Sequence, residues 1–262
     1  MQRLHVDQRL CRICFHLPKN TGSSFKAEIP LSIGAQISRA TSFCGRHLLA
    51  ARLRRSNIDA SAGAVEETAG IVARIRARWP KVKIILRADS GFAREALMGW
   101  CEANKVDYVF GLARNKRLEA RVWAALIEAR RLSEAAGGKS ARVFRDFLWS
   151  TKDSWSRRRR LIGKAEWTGG AANPRFLVTS LKPDAWAAKP LYEELYCARG
   201  EMENRIKEAQ GDLFADRTSA ATMRANQLRL CLPRWPTCCC ARCAGSALPI
   251  PSSPRPPAAR SG

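Results

Sequence analysis

Carboxylates are scarce in this chain: 23 Asp+Glu stand against 46 Lys+Arg, a formal net charge of +23. An excess of that size, spread along the whole length, excludes a neutral or acidic surface and points to a polyanionic partner, nucleic acid first. Long apolar runs are missing too. Nothing approaches the roughly 20 residues of a membrane-spanning helix, which makes a membrane partner the weaker reading. The opening MQRLHVDQRL has no apolar core of a signal peptide, so the body of the chain reads as cytoplasmic. No helix-turn-helix or finger pattern offers base readout. Cys11, Cys14 and His16 form a C-x-x-C-x-H string without a second ligand pair at zinc spacing.

Two terminal stretches lack what folded segments contain. Residues 231–262 have no Asp, Glu or Lys, but seven prolines and five of the ten cysteines. Helices and central strands do not tolerate that proline density. The stretch interrupts an uncapped helical pattern, TSAATMRANQLRL, so an out-of-frame or disordered tail is expected there. Residues 1–43 show no convincing period, and their only acids are Asp7 and Glu28. They read as irregular, out of frame or disordered.

Between these ends lie recognisable elements. Leu48–Leu53 reads as a strand. A helix over 60–79 is ended by Pro80, and its Val65, Ala69, Val72 and Ile75 are suited to burial. The apolar run Val82, Ile84, Ile85, Leu86 predicts a buried strand ending at Asp89-Ser90-Gly91, a turn or helix start. A helix over 93–104 and a strand over 106–112 complete a βαβ unit, so residues 44–114 read as the first part of an α/β core. A carboxylate just past the carboxyl end of a buried strand stands where α/β sheets hold ligands. As a lone feature, Asp89 reads first as an N-cap or turn residue.

From 115 the pattern changes. A helix over 118–132 is followed by strand-like stretches over 142–149, 161–167 and 175–180, so residues 115–183 read as a mostly β insertion. Within it Arg157, Arg158, Arg159 and Arg160 form a charge run flanked by Trp149, Trp155 and Trp167. Such a run is either a solvated loop or a phosphate-contacting one with aromatic stacking. Residues 184–230 return to helix. There Tyr196, Arg199, Glu203, Lys207 and Gln210 are spaced 3, 4, 4 and 3 apart, the period of one helix face. The plain reading of that face is a solvated stripe of i,i+4 pairs such as Glu203 with Lys207.

RADSGF on a strand, followed far downstream by YCARGEMENRIKE, resembles the DDE transposases of bacterial insertion sequences, which are RNase H-like phosphoryl-transfer enzymes. The match to their Tyr–x2–Arg–x3–Glu signature falls on Tyr196, Arg199 and Glu203; the Lys seven residues after the Glu is Gln210 here. The resemblance covers about 44–230. It implies a mixed sheet flanked by helices and interrupted by a mostly β insertion, with the Glu on a helix after it. It further implies Mg2+ or Mn2+ held by Asp89 and Glu203, with Tyr196, Arg199 and Lys207 near the DNA phosphates. DNA bearing insertion-sequence terminal repeats is the implied partner, a homodimer in a synaptic complex the implied assembly, and a bacterial, nucleoid-associated location the implied setting. The family's first Asp has no evident counterpart, because no acidic strand motif surrounds Asp7 and Asp59 falls in a cap position. An inactive, transposase-like remnant is therefore expected, with a non-catalytic basic DNA-binding module as the alternative.

Overall fold

The computed structural model describes residues 3–13, 37–44, 47–55, 58–59, 61–199 and 222–231. In chain order the first half contains β1 (Arg3–Ile13), β2 (Ile37–Cys44), β3 (His47–Arg55), α1 (Ala64–Arg78), β4 (Lys83–Ala88), α2 (Glu95–Ala103) and β5 (Asp107–Leu112). The second half contains α3 (Lys116–Ala135), β6 (Ala141–Trp149), β7 (Arg159–Thr168), β8 (Ala171–Ala172), β9 (Arg175–Thr179), α4 (Ala188–Pro190) and α5 (Met223–Cys231).

Nine strands form one mixed sheet in the order β3-β2-β1-β4-β5-β9-β7-β6, with β8 paired to β7. Its centre is parallel: β4 lies between β1 and β5, and all three run the same way. Parallel strands are covered on both faces and read as continuous apolar runs, and β4 does so, with Ile84, Ile85 and Leu86 each 1% exposed. Outward from this core the pairing turns antiparallel, through β2 and β3 on one side and β9, β7 and β6 on the other.

Side chains alternate across the sheet. Ile84, Leu86, Ala88, Phe110 and Val178 face α1 and α2, where Ile71, Val72, Ile75, Leu97 and Met98 meet them. Farther along that face α3 packs Leu118, Val122 and Leu126 on Leu161, Ala165 and Phe176 of the antiparallel strands. The contact is close: a Cβ on Gly163 of β7 would lie 2.6 Å from a Val122 methyl group. Opposite, Ile85, Val109 and Leu177 are covered by Leu191, Tyr192 and Leu195, which follow α4. The cover is not a regular helix; Leu191–Tyr196 is one π-helical stretch, and Cys197–Arg199 a 3-10 turn.

The α/β class and the elements around Asp89 agree with expectation. Residues 1–43 do not: they hold β1 and β2, so their reading as wholly irregular is corrected. Aperiodic composition hid them, because β1 carries Arg3, His5, Asp7, Gln8 and Arg9 in a central position. With β1 paired to β4 along Arg3–Gln8, the sheet has no gap beside the Asp89 strand. The strands of 115–183 are formed as expected, and they extend the same sheet through β5–β9 pairing. The helix anticipated before 231 is seen as α5, whose Gln227 side chain accepts a hydrogen bond from the Leu53 amide of β3 at 2.8 Å. The tail beyond 231 lies outside the described residues.

Candidate functional site

Asp89 follows the last residue of β4. It caps the short 3-10 turn Ser90–Phe92, accepting a hydrogen bond from the Gly91 amide at 3.0 Å through one carboxylate oxygen. The capping role does not exclude the other reading, since a capping residue at a strand end also stands at the carboxyl edge of a parallel sheet.

Beside it stands β1, in parallel register. Asp7 occupies the rung of Arg87, and Gln8 that of Ala88. Its neighbour Val6 is 1% exposed in the core beneath α1 and α2. An acidic residue therefore sits one strand away from Asp89, near the same edge. Asp7 thus lies on a strand that its surrounding sequence did not announce. Asp59 is a local cap: it accepts from the Ser61 amide and hydroxyl at 2.8 and 2.6 Å and pairs with Arg94 at 3.0 Å. The Ser61 hydrogen bonds, with help from Arg94, hold its carboxyl down at about 2.

The segment after α4 closes over this edge. Arg87, 6% exposed on β4, donates from Nη1 to the main-chain carbonyl of Leu195 at 2.6 Å. The next residue, Tyr196, lays its hydroxyl against β5 at Gly111. A Cβ added to Gly111 would fall 2.8 Å from that hydroxyl and 3.0 Å from the Ser90 amide nitrogen. Glycine is required here by close approach rather than by backbone conformation. Tyr196 and the Asp89–Ser90 turn thus converge on one point of the sheet. Arg199 ends the 3-10 turn Cys197–Arg199. A 3-10 turn does not keep the 3.6-residue period that motivated grouping Tyr196 with Arg199. Glu203, Lys207 and Gln210 lie outside the described residues.

The arginine run does not form one phosphate-contacting loop. Only Arg157 and Arg158 are exposed. Arg159 and Arg160 open β7 and, as adjacent strand residues, point to opposite faces. Arg159, 4% exposed, is held between Glu95 and Glu102 of α2 at 2.6 and 2.7 Å. Arg160, 7% exposed, is taken by Asp146 and by the carbonyls of Leu181 and Trp186, each at 2.8 Å. Neither is available to a phosphate. Arg157 also pairs with Glu102, and Arg158 donates to the Leu148 carbonyl at 3.3 Å. Arg159 hydrogen bonding holds the Glu95 carboxyl down at about 2. Burial pushes Glu102 up, but the bonds from Arg159 and Tyr108 outweigh it and leave Glu102 below its ordinary value.

Free cations do occur at the site's own edge. Arg114 and Lys116 follow the carboxyl end of β5, are exposed, and make no ion pair among the described residues. Their signal was readable: two cations directly after a strand that neighbours the Asp89 strand. Arg87 gave less warning, since an arginine inside an apolar run has no partner visible in the sequence.

Among the described residues no group of three His, Cys, Asp or Glu side chains stands ready to hold a metal. The donor chemistry nonetheless fits a hard divalent cation, because the residues at this edge offer carboxylate oxygen rather than thiolate or imidazole. No described helix is long and apolar enough to cross a membrane.

Comparison with known proteins gives one family. The profile described as "Transposase DDE domain group 1" matches residues 41–237. No curated protein matches. Among solved structures, the chain resembles a Mos1 transposase paired-end complex with the left transposon end, at 14% identity and a TM-score of 0.29. That match covers 52% of this chain and 48% of the other, so this chain spans about half the length of that relative.

Proposed function

The chain belongs to the DDE transposase domain family, and from that premise we propose that it performs metal-dependent DNA strand cleavage and strand transfer at the ends of an insertion sequence. One observation carries the reading: Asp89 stands at the carboxyl end of β4, with Asp7 on the adjacent parallel strand two rungs short of it. In this proposal Asp7 is the first carboxylate, Asp89 the second and Glu203 the third. This reading departs from the expectation of an inactive remnant, whose premise was a missing first Asp.

Asp7, Asp89 and Glu203 would hold Mg2+ or Mn2+, which when bound activates an attacking oxygen and stabilises the leaving one in phosphoryl transfer. The chain's own residues supply the rest. The Gly91 amide fixes one oxygen of Asp89 and so orients the other. Tyr196, with its hydroxyl beside the Asp89–Ser90 turn, is positioned to meet the DNA backbone there. Arg199 and Lys207 would neutralise charge developing on the phosphoryl group. Arg114 and Lys116 extend a positive rim from β5, along which a strand's phosphates bind without base readout. DNA with terminal repeats is the partner in this reading, and two copies meet in a synaptic complex.

The test is nicking of supercoiled plasmid DNA with Mg2+ or Mn2+. Wild-type chain nicks only with metal, while Asp89→Ala and Glu203→Ala lose nicking and keep DNA affinity. A wild type that binds DNA in a salt-dependent way, and never nicks it with either metal, would leave a non-catalytic basic DNA-binding module instead.

A further inference from the structure

We infer that Arg87 is a positioning residue, fastening the strand that presents Asp89 to the segment that presents Tyr196 and leads on to Glu203. The inference rests on the reading of Asp89 and Glu203 as metal-holding carboxylates.

A guanidinium on the central strand of a covered parallel sheet is costly, because burial strips its water and must be compensated by hydrogen bonds. At 6% exposure Arg87 occupies a position on the sheet face that Ile85, two residues earlier, fills with an apolar side chain. Packing alone would be served by another branched aliphatic residue. Arg87 instead reaches across to the cover layer and donates to the Leu195 carbonyl at 2.6 Å, 108 residues away in sequence.

That acceptor lies where the backbone is least regular. Leu195 belongs to the π-helical stretch Leu191–Tyr196, which passes directly into the 3-10 turn Cys197–Arg199. Helix hydrogen bonding changes register at such a junction, and π-helical stretches concentrate at functional sites. A charge-assisted bond from a rigid strand fixes the junction at Leu195. One residue later the Tyr196 hydroxyl is seated over Gly111, next to the Ser90 amide. The segment is thereby pinned on both sides of Asp89: by Arg87 two residues before it, and by the Gly111–Ser90 contact just after it. Arg87 touches neither substrate nor metal in this account; it acts through the placement of Leu195 and Tyr196.

The experiment uses the full chain, as wild type, Arg87→Met and Arg87→Lys, with two readouts. Hydrogen exchange of the 191–199 amides reports the fastening. Titration with Mn2+, followed by the electron paramagnetic resonance of the free ion, reports the carboxylate geometry without any turnover. In Arg87→Met, exchange over 191–199 should quicken roughly 10- to 100-fold, the ratio one hydrogen bond to a charged group supports, while β4 and β5 amides stay protected. Mn2+ affinity should fall about 10-fold, as when a metal ligand loses its outer support. Arg87→Lys, which keeps one charged donor, should recover part of both. Unchanged exchange over 191–199, or quickened exchange with wild-type Mn2+ affinity, overturns the inference. Should Arg87→Met not fold, Arg87→Lys decides alone: intermediate values support the role, and wild-type values in both readouts overturn it. A wild type that binds no Mn2+ overturns the functional reading itself, and this inference with it.

Discussion

The Tyr196 hydroxyl stands over Gly111, 2.8 Å from where a side chain would begin. The contact joins the segment after α4 to β5 beside the Asp89–Ser90 turn, and any larger residue at 111 must displace one of them. Gly111→Ala should destabilise the fold by about 1–3 kcal/mol, the usual cost of overpacking a filled site. Tyr196→Phe removes the clashing oxygen, so in the Gly111→Ala background it should recover part of that loss. Thermal unfolding of the two single variants and the double variant tests the coupling; strict additivity would show that the two residues do not meet in solution.

A second prediction concerns Arg159. Arg159→Met leaves Glu95 and Glu102 without their shared cation, and removing one partner of a buried ion pair costs on the order of 3 kcal/mol. Glu95 is 31% exposed and water offsets part of this, so a loss at the lower end of that scale is expected in urea unfolding. DNA affinity should be unchanged, since Arg159 is covered. A large drop in DNA affinity in a folded Arg159→Met chain would restore the arginine run as a phosphate site.

The same network sets a dependence on pH. Glu95 has its folded-state value lowered from 4.5 to about 2 by the Arg159 hydrogen bonds. A lowered folded value means that the stabilisation is fully present above the ordinary carboxylate range and is lost as pH falls from about 4.5 toward 2. Glu95→Gln should therefore flatten the fall in stability across that window. Acid unfolding followed by circular dichroism checks it, and identical acid limbs for both chains would contradict the assignment.

Where the sequence was legible, physical regularity made it so. β4, α1, α2 and β5 follow from apolar runs and helical periods, and Asp89 from its place past a buried strand. β1 was not legible because its centrality is a tertiary fact: in RLHVDQRLCRI the apolar Leu4, Val6, Leu10, Cys11 and Ile13 keep no single period, and Val6 joins a core formed mainly by residues 64–110. The fate of Arg159 and Arg160 was hidden for the same reason. Their carboxylates lie on α2 and β6, and a charge run does not announce partners that folding brings to it. The Tyr196–Arg199 spacing announced a helix, and the described part of it is a π-helical stretch and a 3-10 turn held by Arg87.

Arg114 and Lys116 are predicted to be DNA contacts. Each lost phosphate contact should make the logarithmic salt dependence of DNA affinity less steep by about 1. Arg114→Gln with Lys116→Gln should reduce the slope by about 2, uniformly across DNA sequences, in fluorescence anisotropy titrations over a range of salt. A slope equal to that of wild type would remove these residues from the interface.

The measurement closest to the central claim compares Asp7→Ala, Asp89→Ala and Asp59→Ala in Mn2+ binding and metal-dependent nicking. Asp7 and Asp89 sit on adjacent parallel strands, whereas Asp59 is held in a local cap with Ser61 and Arg94. Positioning and electrostatic stabilisation are nearly all of phosphoryl-transfer catalysis, so Asp7→Ala and Asp89→Ala should each reduce nicking by orders of magnitude and weaken Mn2+ binding. Asp59→Ala should leave both close to wild type. An Asp7→Ala chain that binds Mn2+ and nicks DNA like the wild type would contradict the account.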